Sequence, residues 1–284
     1  MGLTSTPSPS AKPTAESPLV LNHAIATVAK TIDEQILALP GSRDRLLPAI
    51  KHAITYYEQV IAAIPGPIGV STGRHNTEPV LAALFPAAED TTVGLGRSIA
   101  VRNSISWFVE NGHDRVFAIM GTRIRPGSTA KGLTDHTFRS LAASEHDARE
   151  CLREAAFTSL VNAFVTRLKE RQREWRVLHA DQQSDLAPTI TPSAPGANPA
   201  TAEITAEDSL EALINWLRAP EAQLRLSLRD GEVATVPDSS SNLTLPLMSS
   251  ADRRHWLVCL AEFSAQEASG AIGQYPQANR YILI

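Results

Sequence analysis

The glycine-rich stretch GTRIRPGSTAKGLTDHTFRS gathers the side chains of this chain that are best suited to chemistry. Arg123, Arg125 and Lys131 could together bind a phosphate or a carboxylate, because guanidinium and ammonium groups donate charge-assisted hydrogen bonds to such anions. Asp135 beside His136 could orient an imidazole as a general base. However, the stretch lacks the spacing of a phosphate-binding loop, and Asp-His neighbours are common at turns. We therefore expect a polar loop, with an anion or substrate site as the alternative.

The sequence indicates no metal site, no cofactor and no activated nucleophile. Glu145, His146 and Asp147 follow one another on a predicted helix, so their side chains point about 100° apart and cannot converge on one ion. The serines lack the strand–turn–helix context of a nucleophile elbow. Cys151 and Cys259 match no zinc or redox spacing, and we expect two buried thiols in a reducing compartment.

A basic segment, RLKERQREWR, offers a second kind of surface. Its five basic residues outnumber two glutamates, which gives a local charge of +3; they are Arg167, Lys169, Arg171, Arg173 and Arg176. With the tryptophan that lies among them, they could follow a phosphate backbone. A run of charge on a long helix is more often a solvated face. Nucleic-acid binding is therefore an alternative to the main interpretation.

Composition narrows the class of protein and its partners. The chain has 284 residues, of which 43% are hydrophobic and 20% are charged, as in ordinary globular proteins. A net charge of −4 gives no general attraction to nucleic acid or to an anionic membrane. No apolar run approaches the roughly eighteen residues that span a bilayer, and the first residues lack a secretory signal. These features predict a cytoplasmic protein without a membrane partner.

The sequence pattern predicts that most of the elements that position these side chains are helices. Apolar residues at three- and four-residue steps predict helices over 18–39, 42–65 and 91–112, the first two forming a helical hairpin. The capping-box sequence SEHD precedes a longer periodic run, which predicts a helix over 145–180. Residues 114–120 fit a short buried helix and a strand equally well.

Composition also divides the chain into four parts. Residues 1–17 are rich in proline, serine and threonine and predict a disordered tail. A helical domain follows over 18–182, and a flexible linker rich in proline and alanine over 183–203. Residues 204–284 predict a small α+β module. Its predicted elements are a helix, the alternating run QLRLSLRDG, the β-rich runs HWLVCLAEF and NRYILI, and a helix capped by a serine. The predicted fold class is mainly α, a helical bundle followed by this small C-terminal module.

Three stretches, LGRSIAVRNS, DHTFRSLAASEHDARECLREAAFTSL and DRRHWLVCLAEF with NRYILI, carry a resemblance. The chain after residue 18 resembles a set of uncharacterised proteobacterial proteins with a long helical domain and a small C-terminal module. The resemblance carries no assigned activity and assigns no functional residue. It implies a bacterial cytoplasmic protein in which Asp135, His136 and Thr137 have a fixed structural place, and in which Arg139 or Arg149 makes a salt bridge.

Long amphipathic helices, a flexible tether and the lack of a catalytic constellation favour a non-enzymatic protein-interaction or scaffold role. This interpretation predicts a homodimer or a complex with a protein partner. Two alternatives stay open. One is a small-ligand or anion-binding protein, or an enzyme, that uses the loop 121–140. The other is nucleic-acid binding through the helix segment 167–176.

Overall fold

The computed structural model describes five ranges of the chain, residues 18–124, 135–184, 205–227, 245–251 and 254–277. The predicted tail over 1–17 and nearly all of the predicted linker over 183–203 lie outside these ranges. None of the helices within them is long and apolar enough to cross a membrane.

The chain forms two compact units, and each unit combines two separate stretches of sequence. The first unit comprises Met1–Glu58 and Val161–Arg218, and the second comprises Gln59–Leu160 and Ala219–Ile284. The fold therefore brings the end of the chain together with its middle in the second unit.

The first unit is helical in its described part. It contains α1 (Pro18–Thr31), α2 (Glu34–Leu37), most of α3 (Ser42–Ala62) and α8 (Ala206–Leu217). The single helix predicted over 18–39 is wrong, because Asp33 starts a new helix by accepting a hydrogen bond from the Gln35 amide at 2.9 Å. Arg45 of α3 forms ion pairs with Glu207 and Glu211 of α8, at 2.5 and 3.3 Å.

In the second unit, helices come before, between and after the strands along the sequence. They are α4 (Pro79–Leu84), α5 (Ala88–Arg97), α6 (Ile99–Glu110), the first part of α7 (Glu145–Ser184) and α9 (Ala265–Gln274), with 3-10 turns at Thr72–Arg74 and Pro220–Ala222. The single helix predicted over 91–112 is wrong. Ser98 has extended backbone angles and caps α6 through its hydroxyl, which accepts from the Val101 amide at 3.5 Å.

The prediction of α7 is confirmed, and the helix continues to Ser184. Its N-cap forms as expected, since the Asp147 amide donates to the Ser144 hydroxyl at 3.1 Å, and that hydroxyl donates to the Asp147 carboxylate at 2.7 Å. Ser264 likewise accepts from the Glu267 amide at 3.4 Å at the start of α9. These helices begin where their sequence signals place them.

A six-stranded sheet lies in the second unit. The strands are β1 (Ile68–Gly69), β2 (Arg115–Ile124), β3 (His136–Ala142), β4 (Leu224–Ser227), β5 (Leu247–Ser250) and β6 (His255–Ser264). Their order is β3-β2-β6-β5-β4 with antiparallel neighbours, and β1 pairs with β6 in parallel. The predicted fold class, a helical bundle followed by a small α+β module, is therefore wrong.

The pairing of β2 with β6 is the physical reason for that correction. The two strands match over ten positions, from Arg115 opposite Ser264 to Ile124 opposite His255. Residues 114–120, for which the sequence left helix and strand open, thus belong mostly to a central strand. Because β6 completes a sheet started in the middle of the chain, the C-terminal residues form part of a larger α+β unit.

The core of the second unit lies between one face of this sheet and helices α4, α5, α6 and α9. Alternate residues of the central strands point into it, as expected for a sheet with a period of two. Those residues are Val116, Ala118, Met120, Leu257, Cys259, Ala261 and Phe263. Leu95, Val101, Ile105, Phe108 and Ala268 face them from the helices. This packing fixes both ends of the stretch 121–140, which belong to β2 and β3.

Candidate functional site

His136, a candidate general base in the sequence, is a buried residue of β3. Its side chain is 3% exposed and its Nδ1 lies 3.0 Å from the Thr122 hydroxyl on the neighbouring strand. The imidazole stacks on Phe85, with ring centroids 4.0 Å apart and planes at 28°. A hydrogen bond and a stacked ring satisfy both the polar and the apolar parts of the side chain. This environment favours a structural role over catalysis.

A second buried histidine, which the sequence did not single out, contacts the same phenylalanine. His75 Nε2 lies 2.7 Å from the carbonyl oxygen of Phe85, so that nitrogen carries the proton and donates. His75 therefore donates a hydrogen bond to the backbone carbonyl of Phe85, and His136 stacks on its ring. His75 ties the end of α4 to the residues after the 3-10 turn, and His136 packs it against β3.

The predicted anion-binding set is only partly within the described residues. Arg123 lies on β2, half-buried, and its amide donates to the Asp135 carbonyl at 3.0 Å. Arg125 and Lys131 lie outside the described residues. The loop prediction is wrong for 121–124 and 136–140, which are strands. Asp135 lies directly before β3, and its carbonyl extends the hydrogen bonding between β2 and β3.

The five basic residues predicted to contact nucleic acid lie on α7 and are all exposed; they are Arg167, Lys169, Arg171, Arg173 and Arg176. At about 3.6 residues per turn, Arg167 and Arg171 lie on one flank of the helix, and the other three lie on the opposite flank. Glu170 and Glu174 lie between the flanks. Arg167 also sits over the Trp216 ring, 5.4 Å from its centroid. The helix thus separates the basic side chains with a row of carboxylates.

Arg149 on α7 makes the salt bridge that the resemblance implied, to Glu145 at 3.0 Å. The same guanidinium also donates to the carbonyl oxygens of Ile61 and Ile64, at 2.6 and 2.9 Å. Ile61 lies in the last turn of α3, where helical hydrogen bonds run out, and Ile64 lies two residues beyond the helix. Arg149 is therefore a structural cap.

The two cysteines differ in environment. Cys259 is buried, as predicted, and burial raises the pKa of its thiol to about 12. Cys151 is exposed, so its predicted burial is wrong. Desolvation raises the pKa of the Cys151 thiol, with further contributions from Glu154, Asp147 and Glu150. Neither thiol is activated as a nucleophile.

One helix of the second unit exposes apolar side chains. Five large hydrophobic residues are exposed in the described part of the chain, and three of them, Ile99, Trp107 and Val109, lie on α6. Trp107 is 54% exposed and stacks on His113, with planes at 27° and centroids 5.5 Å apart. At about 3.6 residues per turn the three side chains span about 160° around the helix axis, with Ile99 between the other two, and we call these three residues the α6 face.

A cavity of about 240 Å³ opens on the same unit, where β1, the start of β2 and the end of β6 meet. We call it the Arg74 pocket. Its lining residues are Gly69, Val70, Ser71, Arg74, Asp114, Arg115, Glu262, Phe263, Ser264 and Glu267. Across the described ranges, no group of three histidine, cysteine, aspartate or glutamate residues could hold a metal ion.

Two arginines and three carboxylates line the pocket, and only some of them neutralise one another. Arg115 pairs with Glu262 at 3.0 Å. Glu267 accepts a hydrogen bond from the Thr72 amide at 3.4 Å. No ion pair within the described ranges joins Arg74 or Asp114 to another side chain. These residues come from three distant segments of the sequence, so no local pattern could have indicated them.

Comparison with protein-family models, with curated proteins and with solved structures gives no significant match to this chain. The resemblance to uncharacterised proteobacterial proteins therefore stays a prediction. The α6 face and the Arg74 pocket are the two candidate binding surfaces of the second unit.

Proposed function

We propose that this chain is a non-enzymatic, cytoplasmic interaction protein that associates with a second copy of itself through the α6 face. The observation that carries the proposal is the exposure of Ile99, Trp107 and Val109 on a single helix. Isolated exposed hydrophobic residues are common on protein surfaces, but three of them on one helix of twelve residues, with a tryptophan among them, are typical of interaction sites.

The geometry of Trp107 supports a preformed binding surface. Its indole lies against His113 and meets Phe108 edge-on, with centroids 5.0 Å apart, while Phe108 is buried in the core. A side chain held by its neighbours loses little conformational entropy when a partner covers it. The exposed ring can therefore act as an anchor.

The charge on α6 favours a second copy as the partner. The exposed positions of the helix are Ile99, Asn103, Ser106, Trp107, Val109 and Glu110, so they include one charged side chain. A twofold axis places the same surface on both partners. If two copies of α6 pack antiparallel, the two Glu110 carboxylates lie at opposite ends of a contact about 18 Å long and do not repel each other strongly.

Sedimentation velocity over an about hundredfold range of protein concentration tests the proposal. We expect a weak dimer, with a Kd between about 1 and 100 μM, because one short helix presents less surface than a standard interface. Replacing Trp107 and Val109 with serine should raise that Kd by about tenfold or more.

Val177→Ser is the matched control, because Val177 is also exposed, at 60%, but lies on α7 outside the α6 face. This variant should dimerise like the wild type. A protein that stays monomeric at every concentration and retains no partner in pull-downs would contradict the proposal. Capture of a different protein that depends on Trp107 would keep the interaction role and refute self-association.

A further inference from the structure

The Arg74 pocket carries an inference that is independent of the α6 face. We propose that it binds a free basic amino acid, of the size and charge of lysine or ornithine. Three features of the pocket point to this ligand: its volume, the charges that line it and the position of Arg74 over Gly69.

The volume limits the ligand to a small molecule. Drug-sized ligands occupy pockets of about 300–1,000 Å³, and the Arg74 pocket has about 240 Å³. At about 30 Å³ for each water molecule, the cavity has room for roughly eight waters. That space suits a ligand of about ten non-hydrogen atoms.

The charges select the class of ligand. The ion pair between Arg115 and Glu262 is satisfied within the protein. Three lining charges then remain for a ligand, one positive on Arg74 and two negative on Asp114 and Glu267. A basic amino acid carries the complement, one carboxylate and two cationic groups. A simple anion would meet a surplus of carboxylates, and a simple amine would leave Arg74 unpaired.

Gly69 leaves room for the Arg74 side chain in the pocket. A Cβ at this position would collide with the guanidinium and the Cδ of Arg74, so the side chain lies in the space that glycine leaves open. Gly69 is also held in the sheet, because β1 pairs with β6 at Glu262. The guanidinium that would receive the ligand carboxylate therefore lies over the backbone of β1, where its N–H groups can bind a carboxylate in a bidentate way.

Asp114 and Glu267 approach the pocket from two other elements. Asp114 precedes β2, and its carbonyl accepts from the Ala265 amide at 3.0 Å, which ties the loop to the start of α9. Glu267 lies in the first turn of α9, and its contact with the Thr72 amide leaves further lone pairs on the carboxylate. The two carboxylates can each accept one cationic group of the ligand.

Isothermal titration calorimetry of the full chain with lysine tests the proposal, and three analogues each remove one charge. They are Nα-acetyl-lysine, Nε-acetyl-lysine and lysine amide. We expect lysine to bind with a Kd between about 10 μM and 1 mM, because the site is open to solvent, and each analogue to bind about tenfold more weakly or worse.

Variants identify the site. Arg74→Gln and Asp114→Asn should each weaken lysine binding by about tenfold or more. Arg225→Gln and Glu221→Gln are matched controls, since both residues are exposed in the same unit outside the pocket, and they should bind lysine like the wild type. Thermal unfolding of each variant confirms that it is folded.

Three outcomes would overturn the inference. One is the absence of any binding heat with lysine up to about 10 mM, tenfold above the weakest expected Kd. The second is equal affinity for lysine and an analogue that lacks one charge. The third is lysine binding that survives both pocket variants. Because dimerisation depends on Trp107 and Val109, none of these results bears on the proposed function.

Discussion

Gly96 of α5 lies directly against the carbonyl oxygen of Ala271 in α9. A Cβ at position 96 would stand 2.5 Å from that oxygen and 3.0 Å from the ring of Tyr275. The two helices can approach this closely only because residue 96 has no side chain.

We expect Gly96→Ala to lower the free energy of unfolding by about 1–3 kcal/mol, because backbone atoms of α9 must move to admit the methyl group. Gly270→Ala is the matched control, since a Cβ there meets nothing within 4 Å on an exposed turn of α9. It should raise the free energy of unfolding by about 0.4–1 kcal/mol. Urea unfolding followed by circular dichroism measures both, and equal effects would argue against the close packing.

Replacing His136 tests whether this residue is structural. His136→Ala removes the stacking on Phe85 and leaves the Thr122 hydroxyl without its partner on β3, so we expect a loss of about 2–4 kcal/mol in the free energy of unfolding. His146→Ala, at an exposed position of α7, should change it by less than about 0.5 kcal/mol. Urea unfolding distinguishes the two, and a His136→Ala protein of wild-type stability would restore a functional role for the imidazole.

Alkaline pH should reveal the burial of Cys259. Its pKa rises from the ordinary 9.0 to about 12, so the folded thiol keeps a proton that the unfolded thiol loses above about pH 9. The free energy of unfolding should therefore fall between these two pH values, by up to about 1.4 kcal/mol for each pH unit.

The measurement compares Cys151→Ala with the double variant Cys151→Ala, Cys259→Ala by urea unfolding at about pH 8 and about pH 10. Cys259 contributes fully to stability at the lower pH and less at the higher one. The free energy of unfolding of Cys151→Ala, relative to that of the double variant, should therefore fall as the pH rises. Parallel pH profiles would show that the Cys259 thiol titrates normally.

Nucleic-acid binding along α7 has a separate test. Because Glu170 and Glu174 lie between the two basic flanks, we expect no binding of a fluorescent DNA duplex at physiological salt. Fluorescence anisotropy at low and at physiological salt measures this. Affinity that falls steeply with salt and weakens when Arg171 and Arg173 become alanine would instead support the nucleic-acid alternative.

Local signals predicted several elements of this fold correctly. The cap at Ser144 and the cap at Ser264 each place the start of a helix, because a hydroxyl bonded to an amide three residues later needs only neighbouring residues. The same reasoning failed at Ser98, where a cap inside an apolar run splits one periodic pattern into two helices.

The sheet could not be predicted in this way. β3 begins with His136 and Thr137, which lie in a stretch that its glycine and charged residues predicted to be a loop, and both are buried in the fold. The partner strand β6 comes from the far end of the chain, and no periodicity shows which distant strands pair. The Arg74 pocket is subject to the same limit, because three separate segments meet to form it.

The order of the strands has a consequence for synthesis on the ribosome. β2 and β3 leave the ribosome long before β6, which lies between β2 and β5 in the finished sheet. Until residues 255–264 emerge, one edge of β2 has no strand partner and offers unpaired amides and carbonyls to other nascent chains. We therefore expect truncation before β6 to produce an aggregating chain, and we expect chaperones to bind this protein during translation.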